Sequence, residues 1–396
     1  MTGLAAVVLI AAGTMVAQSF GRFTYGVLLP AARDDLGISN TVAGLLGTIN
    51  VTAYLVGTVA VGVATGRQRL IDVMRFGLLL ATVGLVLAAA STGPLMLGVA
   101  LTLTGVGGAA TWIPAPLIAT GAVAPERRSV AIGSVSSGIG IGLVFTSQLA
   151  AILRSAGGNE AWRTVYVIQA AMAVTVLVAT VRLIGHDQDR PSGPTRSAFG
   201  GFGVLRVMPG WLAVTLAYSA FGFMYLLVIA FLTARLEDDS GWATSQASLA
   251  FTLLGVAVIF GGPLSVMAAR RIGVRAVLMA GFIGWSVLAV LILPGWTVPS
   301  LAFSVGLGLL FAAIPTTITF YFVEHTTTEN YGPSFAAGTL AFGLAQVLSP
   351  QIGGAVADLT GSFTLVFVLS AVVAVVGSVA AFRLGSGPGR DVVNPS

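Results

Sequence analysis

The 396-residue chain is 56% hydrophobic and 8% charged, with a mean hydropathy of +0.96; soluble domains carry about 25% charged residues, so water-soluble enzymes, nucleic-acid binders and disordered chains are excluded. Its net charge of +5 comes from 19 basic residues, all arginine, against 14 acidic ones, an excess that suits membrane topology better than a phosphate-binding patch. With no cysteine, no lysine and two histidines, His186 and His325, the chain lacks the groups for thiolate chemistry, Schiff bases, Walker-type phosphate binding or an imidazole-built metal site.

About 20 apolar residues cross a bilayer as a helix. Ten stretches of at least 18 residues lack Asp, Glu, Lys and Arg: 1–21, 36–66, 76–125, 129–153, 164–181, 207–234, 240–269, 276–323, 330–357 and 359–382. The third and eighth run to 50 and 48 residues and hold turn signals at Ser91-Thr92-Gly93-Pro94 and Pro294-Gly295-Trp296, so each splits into two helices. The pattern predicts an all-α polytopic membrane protein with twelve transmembrane helices. The first run lacks the basic segment that opens a cleaved signal peptide, and we read it as span 1.

Span 1 holds Gln18, Arg22 and Tyr25 at i, i+4 and i+7, on one helical face. Arg22 is the one charged residue inside a span, about 8 Å from its middle at about 1.5 Å per residue. A buried arginine costs about 2.5–3.5 kcal/mol on insertion scales, so it needs a partner or a watery cavity. Its forked donors suit an anion such as a carboxylate; the alternative is an arginine that snorkels outward or bonds helix carbonyls. Span 2 repeats the i, i+4 step with Asn50 and Tyr54. Span 4 carries Trp112-Ile-Pro114-Ala-Pro116, whose prolines free carbonyls and whose indole offers a stacking surface. Span 5 holds Gln148 and Gly138-x-x-x-Gly142, a spacing for close helix approach. In span 7, Tyr218, Gly222 and Tyr225 share a face; span 10 has Ile314-Pro315-Thr316-Thr317 and span 11 has Gln346. These stripes and prolines can line a solute pathway, or serve interhelical hydrogen bonding and plain kinks; both readings stand. Gly105-Val-Gly107-Gly108 has no strand before it and is no nucleotide fingerprint.

No Asp or Glu lies within these spans. Asp34 and Asp35 after span 1, and Glu324 with His325 after span 10, can titrate, but read as solvated loop charges, and Glu237-Asp238-Asp239 reads as a solvated turn. No cofactor and no metal set is expected, and no nucleophile–base pair that would make an enzyme.

The chain repeats itself at an offset of 201. Phe20-Gly21 meets Phe221-Gly222; Gly105, Gly107, Ile113 and Pro114 meet Gly306, Gly308, Ile314 and Pro315; Trp162–Ile168 meets Phe363–Leu369. Two pseudo-symmetric six-helix bundles follow, at 1–184 and 207–384, with a polar Pro/Gly/Ser connector at 185–206 and a tail at 385–396. With the N-terminus inside, fourteen arginines fall in cytoplasmic segments and four (Arg33, Arg154, Arg163, Arg235) outside, so both termini are expected in the cytoplasm.

Phe20-Gly-Arg-Phe-Thr-Tyr-Gly-Val-Leu-Leu-Pro30 resembles the first-helix signature of the YbfB/YjiJ-like branch of the major facilitator superfamily. Phe221-Gly-Phe-Met-Tyr225, Gly343 with Gln346 and Pro350, and Ala357-Asp-Leu-Thr-Gly-Ser-Phe363 are similar to the same branch. The resemblance implies a secondary transporter of the cytoplasmic membrane, monomeric by default, working by alternating access on a small-molecule substrate. It implies gating positions in the loops after spans 2 and 8, where the superfamily motif runs roughly Gly-x-x-x-Asp-Arg-x-Gly-Arg-Arg. Here Gly62-Val-Ala-Thr-Gly66-Arg67-Gln-Arg69 has glycine for the aspartate, and Arg270-Arg271-Ile-Gly273-Val-Arg275 has arginine. The Gly-Pro-x-x-Gly-Gly signature of proton-driven drug exporters is missing from span 5. The expected cargo is a small organic anion or amphiphile, with a coupling proton left open. The alternatives are a proton-driven exporter of hydrophobic drugs and, of another class, a non-transporting scaffold or sensor.

Overall fold

The computed structural model describes residues 3–64, 68–184 and 201–385. Among them, twelve helices are long and apolar enough to cross a membrane. The first six are α1 (Leu4–Leu36), α2 (Asn40–Val61), α3 (Leu70–Ala89), α4 (Pro94–Gly121), α5 (Val130–Gly157) and α6 (Asn159–Leu183). The second six are α7 (Trp211–Asp239), α8 (Thr244–Ile272), α9 (Val274–Leu291), α10 (Thr297–His325), α11 (Asn330–Thr360) and α12 (Thr364–Phe382). No strand occurs among the described residues. In lipid, every backbone N–H and C=O must find its partner within the segment, and a helix does this without an open edge. The two long charge-free runs divide at their turn signals: Gly93 is extended before Pro94 opens α4, and Gly295 turns at φ +69° ahead of α10.

The second six helices repeat the pairing of the first. α2 packs on α4 as α8 packs on α10; α3 lies against α4 and α6 as α9 lies against α10 and α12; α1 meets α5 and α6 as α7 meets α11 and α12. One polar contact recurs between the halves, with its donors 201 residues apart and its acceptors 200 apart. Gln169 of α6 donates to Thr24 of α1 at 2.9 Å, and Ser370 of α12 donates to the Met224 carbonyl of α7 at 2.8 Å. The halves meet where α1 packs on α7, α2 on α11 and α5 on α8. Gly138 and Gly142 set the close fit of α5 on α1: an added Cβ would meet the Ala11 carbonyl and the Ser19 Cβ, both at 2.4 Å.

The matched prolines behave differently in the two halves. α4 breaks at Ile113–Pro114, between helical stretches Pro94–Trp112 and Ala115–Gly121, whereas α10 runs unbroken through Pro315. Pro114 and Pro116 remove two backbone donors within one turn of α4, and α10 loses one. Of the expected connector, residues 185–200 lie outside the described residues. Its end, Gly201–Leu205, is a short helix seated where a Cβ on Gly201 would collide with the Pro333 carbonyl.

Candidate functional site

Arg22 sits at the end of a π-helical stretch of α1, Met15–Phe23, a local widening that recurs at functional positions. Thr24 caps the widened turn by donating to the Ser19 carbonyl at 3.1 Å. The Arg22 guanidinium lies 3.9 Å from the centre of the Tyr54 ring and 5.7 Å from that of Phe23, a cation–π arrangement. Its Nη1 donates to Gln18 Oε1 at 3.1 Å, and Gln18 Nε2 donates to the Gly108 carbonyl at 3.3 Å. Nε and Nη2 are buried and donate no hydrogen bond among the described residues. Tyr225, from the other half, stands close to the guanidinium and accepts a hydrogen bond from the buried Gln346 amide.

An aromatic wall completes the cluster. Tyr218 stacks on Phe342 at 4.4 Å, Phe221 stacks on Tyr225 at 4.8 Å, Tyr225 leans on Phe311 at 5.1 Å, and Phe23 meets Phe311 edge-on at 6.0 Å. Beside Arg22 lies a cavity of about 30 Å³, also lined by Tyr25, Asn50, Leu226 and Pro350, room for water rather than a solute. Thus Gln18, Arg22, Tyr54, Tyr218, Tyr225 and Gln346 come together from four helices.

Other expected lining residues are engaged elsewhere. Asn50 donates to the carbonyls of Gly21 and Leu101 and to Thr104, tying α2 to α1 and α4, while Tyr25 donates to the Ala43 carbonyl. Gln148 is exposed and donates to Thr252 of α8 at 2.7 Å. Thr316 bonds the Ala312 carbonyl of its own helix and faces Gly262 of α8. Trp112 is half-buried at the break in α4. The phenylalanines Phe311 and Phe342 escaped sequence reasoning, since phenylalanine in a membrane span is ordinarily lipid-facing or core; Phe23 was in view only as part of the Phe20–Pro30 signature.

The polar contacts that join the halves gather toward the end of the bundle away from residues 3 and 385. Arg154 of α5 grips Glu237 of α7 with both terminal nitrogens, each at 2.8 Å, and Arg33 of α1 reaches Asp238 at 2.5 Å. Asp358 of α11 accepts from the backbone N–H groups of Asn40 and Thr41 at 2.9 and 2.6 Å, a carboxylate on the positive end of α2. Nearer the middle, Thr48 donates to the Val347 carbonyl and accepts from the Gln351 N–H. These contacts correct the reading of Glu237-Asp238-Asp239 as a solvated turn: two of the acids close the bundle end, and Asp239 accepts from Ser362 and the Phe363 N–H at 2.8 Å. Asp35 is likewise engaged, by Arg163 at 2.5 Å and the Trp162 indole at 3.1 Å. The arginine partners stand many residues away in the chain, beyond the reach of local sequence pattern.

Residues 14–382 match the family model described as uncharacterised MFS-type transporter YbfB. The chain belongs to this family. It is also similar to the uncharacterised transporter YgaY of Escherichia coli strains K12 and O157:H7, at 29% identity over 181 residues. That match covers 45% of this chain and 44% of the relatives' own length. Among solved structures it is similar to a bacterial homologue of the human lysosomal transporter Spinster, in inward-facing unoccupied and occupied conformations. The TM-scores are 0.71 and 0.73 at 17% identity, over 95% and 96% of this chain and 95% of that one. At that identity the likeness shows the fold, and the fold is that of a major facilitator transporter.

In this YbfB-family chain the expected gating positions lie at the end opposite the ion pairs that join the halves. Arg69 is exposed and extended just before α3, Arg271 is exposed near the end of α8, and Gly273 turns into α9 at φ +85°, a conformation that favours glycine. Arg67 and the surroundings of Gly62 lie outside the described residues.

Proposed function

We propose that the protein is a secondary transporter that carries a small organic anion across the cytoplasmic membrane by alternating access, with both termini in the cytoplasm and Arg22 as the anion's anchor. One observation carries the reading: a guanidinium deep in the bundle keeps Nε and Nη2 buried and unpartnered beside an aromatic wall drawn from both halves. A buried donor without a partner is costly, and a charged donor more so; an arriving carboxylate would meet both nitrogens in the forked geometry that arginine favours. Gln18 holds the guanidinium in place, Tyr54 covers one face, and Tyr225 with Gln346 approaches from the opposite half. Closure of the far end by Arg154–Glu237 and Arg33–Asp238 supports a conformation whose opening lies toward residues 3 and 385. No carboxylate among the described residues joins the cluster, which weighs against a proton-driven exporter of hydrophobic drugs.

The test is uptake by purified protein in proteoliposomes from a panel of organic anions, amines and dyes, with Arg22→Gln beside the wild type. A charge-assisted hydrogen bond is worth about 1.5–3 kcal/mol, so the variant should lose at least about tenfold in anion flux while an amine or dye, if carried, is spared. Undiminished anion flux in the variant would refute the anchor role.

A further inference from the structure

Arg22 stands alone in the bundle interior. Every other charged side chain of α1–α12 lies within two turns of an end of its helix. The groups around the guanidinium, the Gln18 amide, the rings of Tyr54 and Phe23 and the phenol of Tyr225, are all neutral. Arginine carries a fixed positive charge, so the empty site holds one full positive charge with no counter-charge among the described residues. Alternating access requires an occluded state in which both ends are shut and bulk water is withdrawn. Shutting the bundle over an unpaired cation carries a desolvation penalty that shutting it over an ion pair largely avoids.

This asymmetry is a coupling device. Resting on the anion-anchor reading above, we infer that the protein is an obligatory exchanger of planar monoanions, aromatic carboxylates or sulfonates, in which the cargo itself supplies the counter-charge that lets the carrier reorient. The charge count sets the valence. One arginine is neutralised by one negative charge, and a dianion would leave the occluded site with the opposite uncompensated charge. The wall sets the body: Phe23, Tyr54, Tyr218, Tyr225, Phe311 and Phe342 offer flat apolar faces and few hydroxyls rather than the many donors a sugar acid needs. A carrier loaded at one face returns loaded, so flux is one-for-one and moves no net charge.

The experiment uses the full-length protein in proteoliposomes and radiolabelled benzenesulfonate, which stays ionised and does not leak through lipid as a neutral acid. Vesicles are filled with unlabelled benzenesulfonate, with gluconate, or with benzene-1,3-disulfonate. Uptake into the benzenesulfonate-filled vesicles should exceed uptake into the other two at least about tenfold, equivalent to about 1.4 kcal/mol between loaded and empty reorientation. It should not respond to a potassium–valinomycin potential. Arg22→Lys, which retains the charge, should keep the preference for filled vesicles at reduced affinity. Arg22→Gln should lose it, with its residual flux equal into filled and gluconate vesicles. A purely structural arginine would leave that ratio unmoved and sink the inference. Equal wild-type uptake into filled and gluconate vesicles, abolished in Arg22→Gln, overturns exchange while the anion-anchor reading survives. Absence of Arg22-dependent flux in every vesicle removes both.

Discussion

At the scale of single residues, the Arg22–Tyr54 contact separates a ring's π face from its hydroxyl. Tyr54→Phe keeps the face at 3.9 Å from the guanidinium and should transport near the wild-type rate. Tyr54→Leu forfeits a cation–π contact of about 0.5–2 kcal/mol, and anion affinity in the proteoliposome assay should fall about 2- to 30-fold. Loss of function in Tyr54→Phe would instead assign the work to the hydroxyl. Spacing in the sequence was enough to group Gln18 with Arg22 and to single out Tyr54, Tyr225 and Gln346. It could not separate them from Asn50 or Gln148, because a polar side chain on an apolar helix shows the same period whether it faces a cavity or bonds a neighbour. Asn50 found two carbonyls and a threonine, and Gln148 found Thr252. That outcome depends on which helix arrives opposite, which periodicity does not encode.

At the scale of elements, the pairing of α2 with α11 is a backbone contact. A Cβ on Gly44 would meet the Pro350 carbonyl at 2.2 Å, and one on Gly354 would meet the Asn40 carbonyl at 2.1 Å. Neither obstacle is a side chain that can swing aside, so Gly44→Ala should hold the halves apart at this end. The chain has no cysteine, so a single Ala230→Cys reporter beside the small cavity can read this. An impermeant maleimide applied to the far side should label it several-fold faster in the Gly44→Ala background; an unchanged rate would mean that α2 and α11 do not set the closure. The break in α4 and the continuity of α10 make a related point. The prolines were visible as a matched pair, but the neighbouring Pro116, lacking a counterpart in α10, decided which helix gave way.

At the scale of the whole molecule, the far end of the bundle is a mesh of charges. Arg33, Arg154, Arg163 and Arg235 each stand within ion-pair distance of an acid there. Glu237→Ala should strand Arg154, whose side chain is 2% exposed, at about 3–5 kcal/mol against the closed arrangement. The Ala230→Cys reporter should then become more reactive from the far side, and an Arg154→Leu/Glu237→Leu double variant should recover part of the protection. Wild-type labelling in Glu237→Ala would show the pair to be dispensable. The same mesh bears on orientation. Along the sequence, the segments assigned to the far side carry those four arginines and seven acids, and those assigned to the near side carry fourteen arginines and seven acids, a bias that supports the proposal of cytoplasmic termini. Reporter domains fused at either terminus should behave as cytoplasmic, and an external reading at either would reverse the assignment. The sequence by itself determined the number of helices, the duplication and the lone interior charge, because the price of charge in hydrocarbon writes helix boundaries directly into residue order. Only the tertiary structure decided that two of four paired arginines join the halves at one end, that phenylalanines from α1, α10 and α11 wall the site, and that Nε and Nη2 of Arg22 are buried without a hydrogen bond among the described residues. Those facts concern which helices meet, and the contacts between chain segments 80 to more than 300 residues apart leave no periodic trace along the chain.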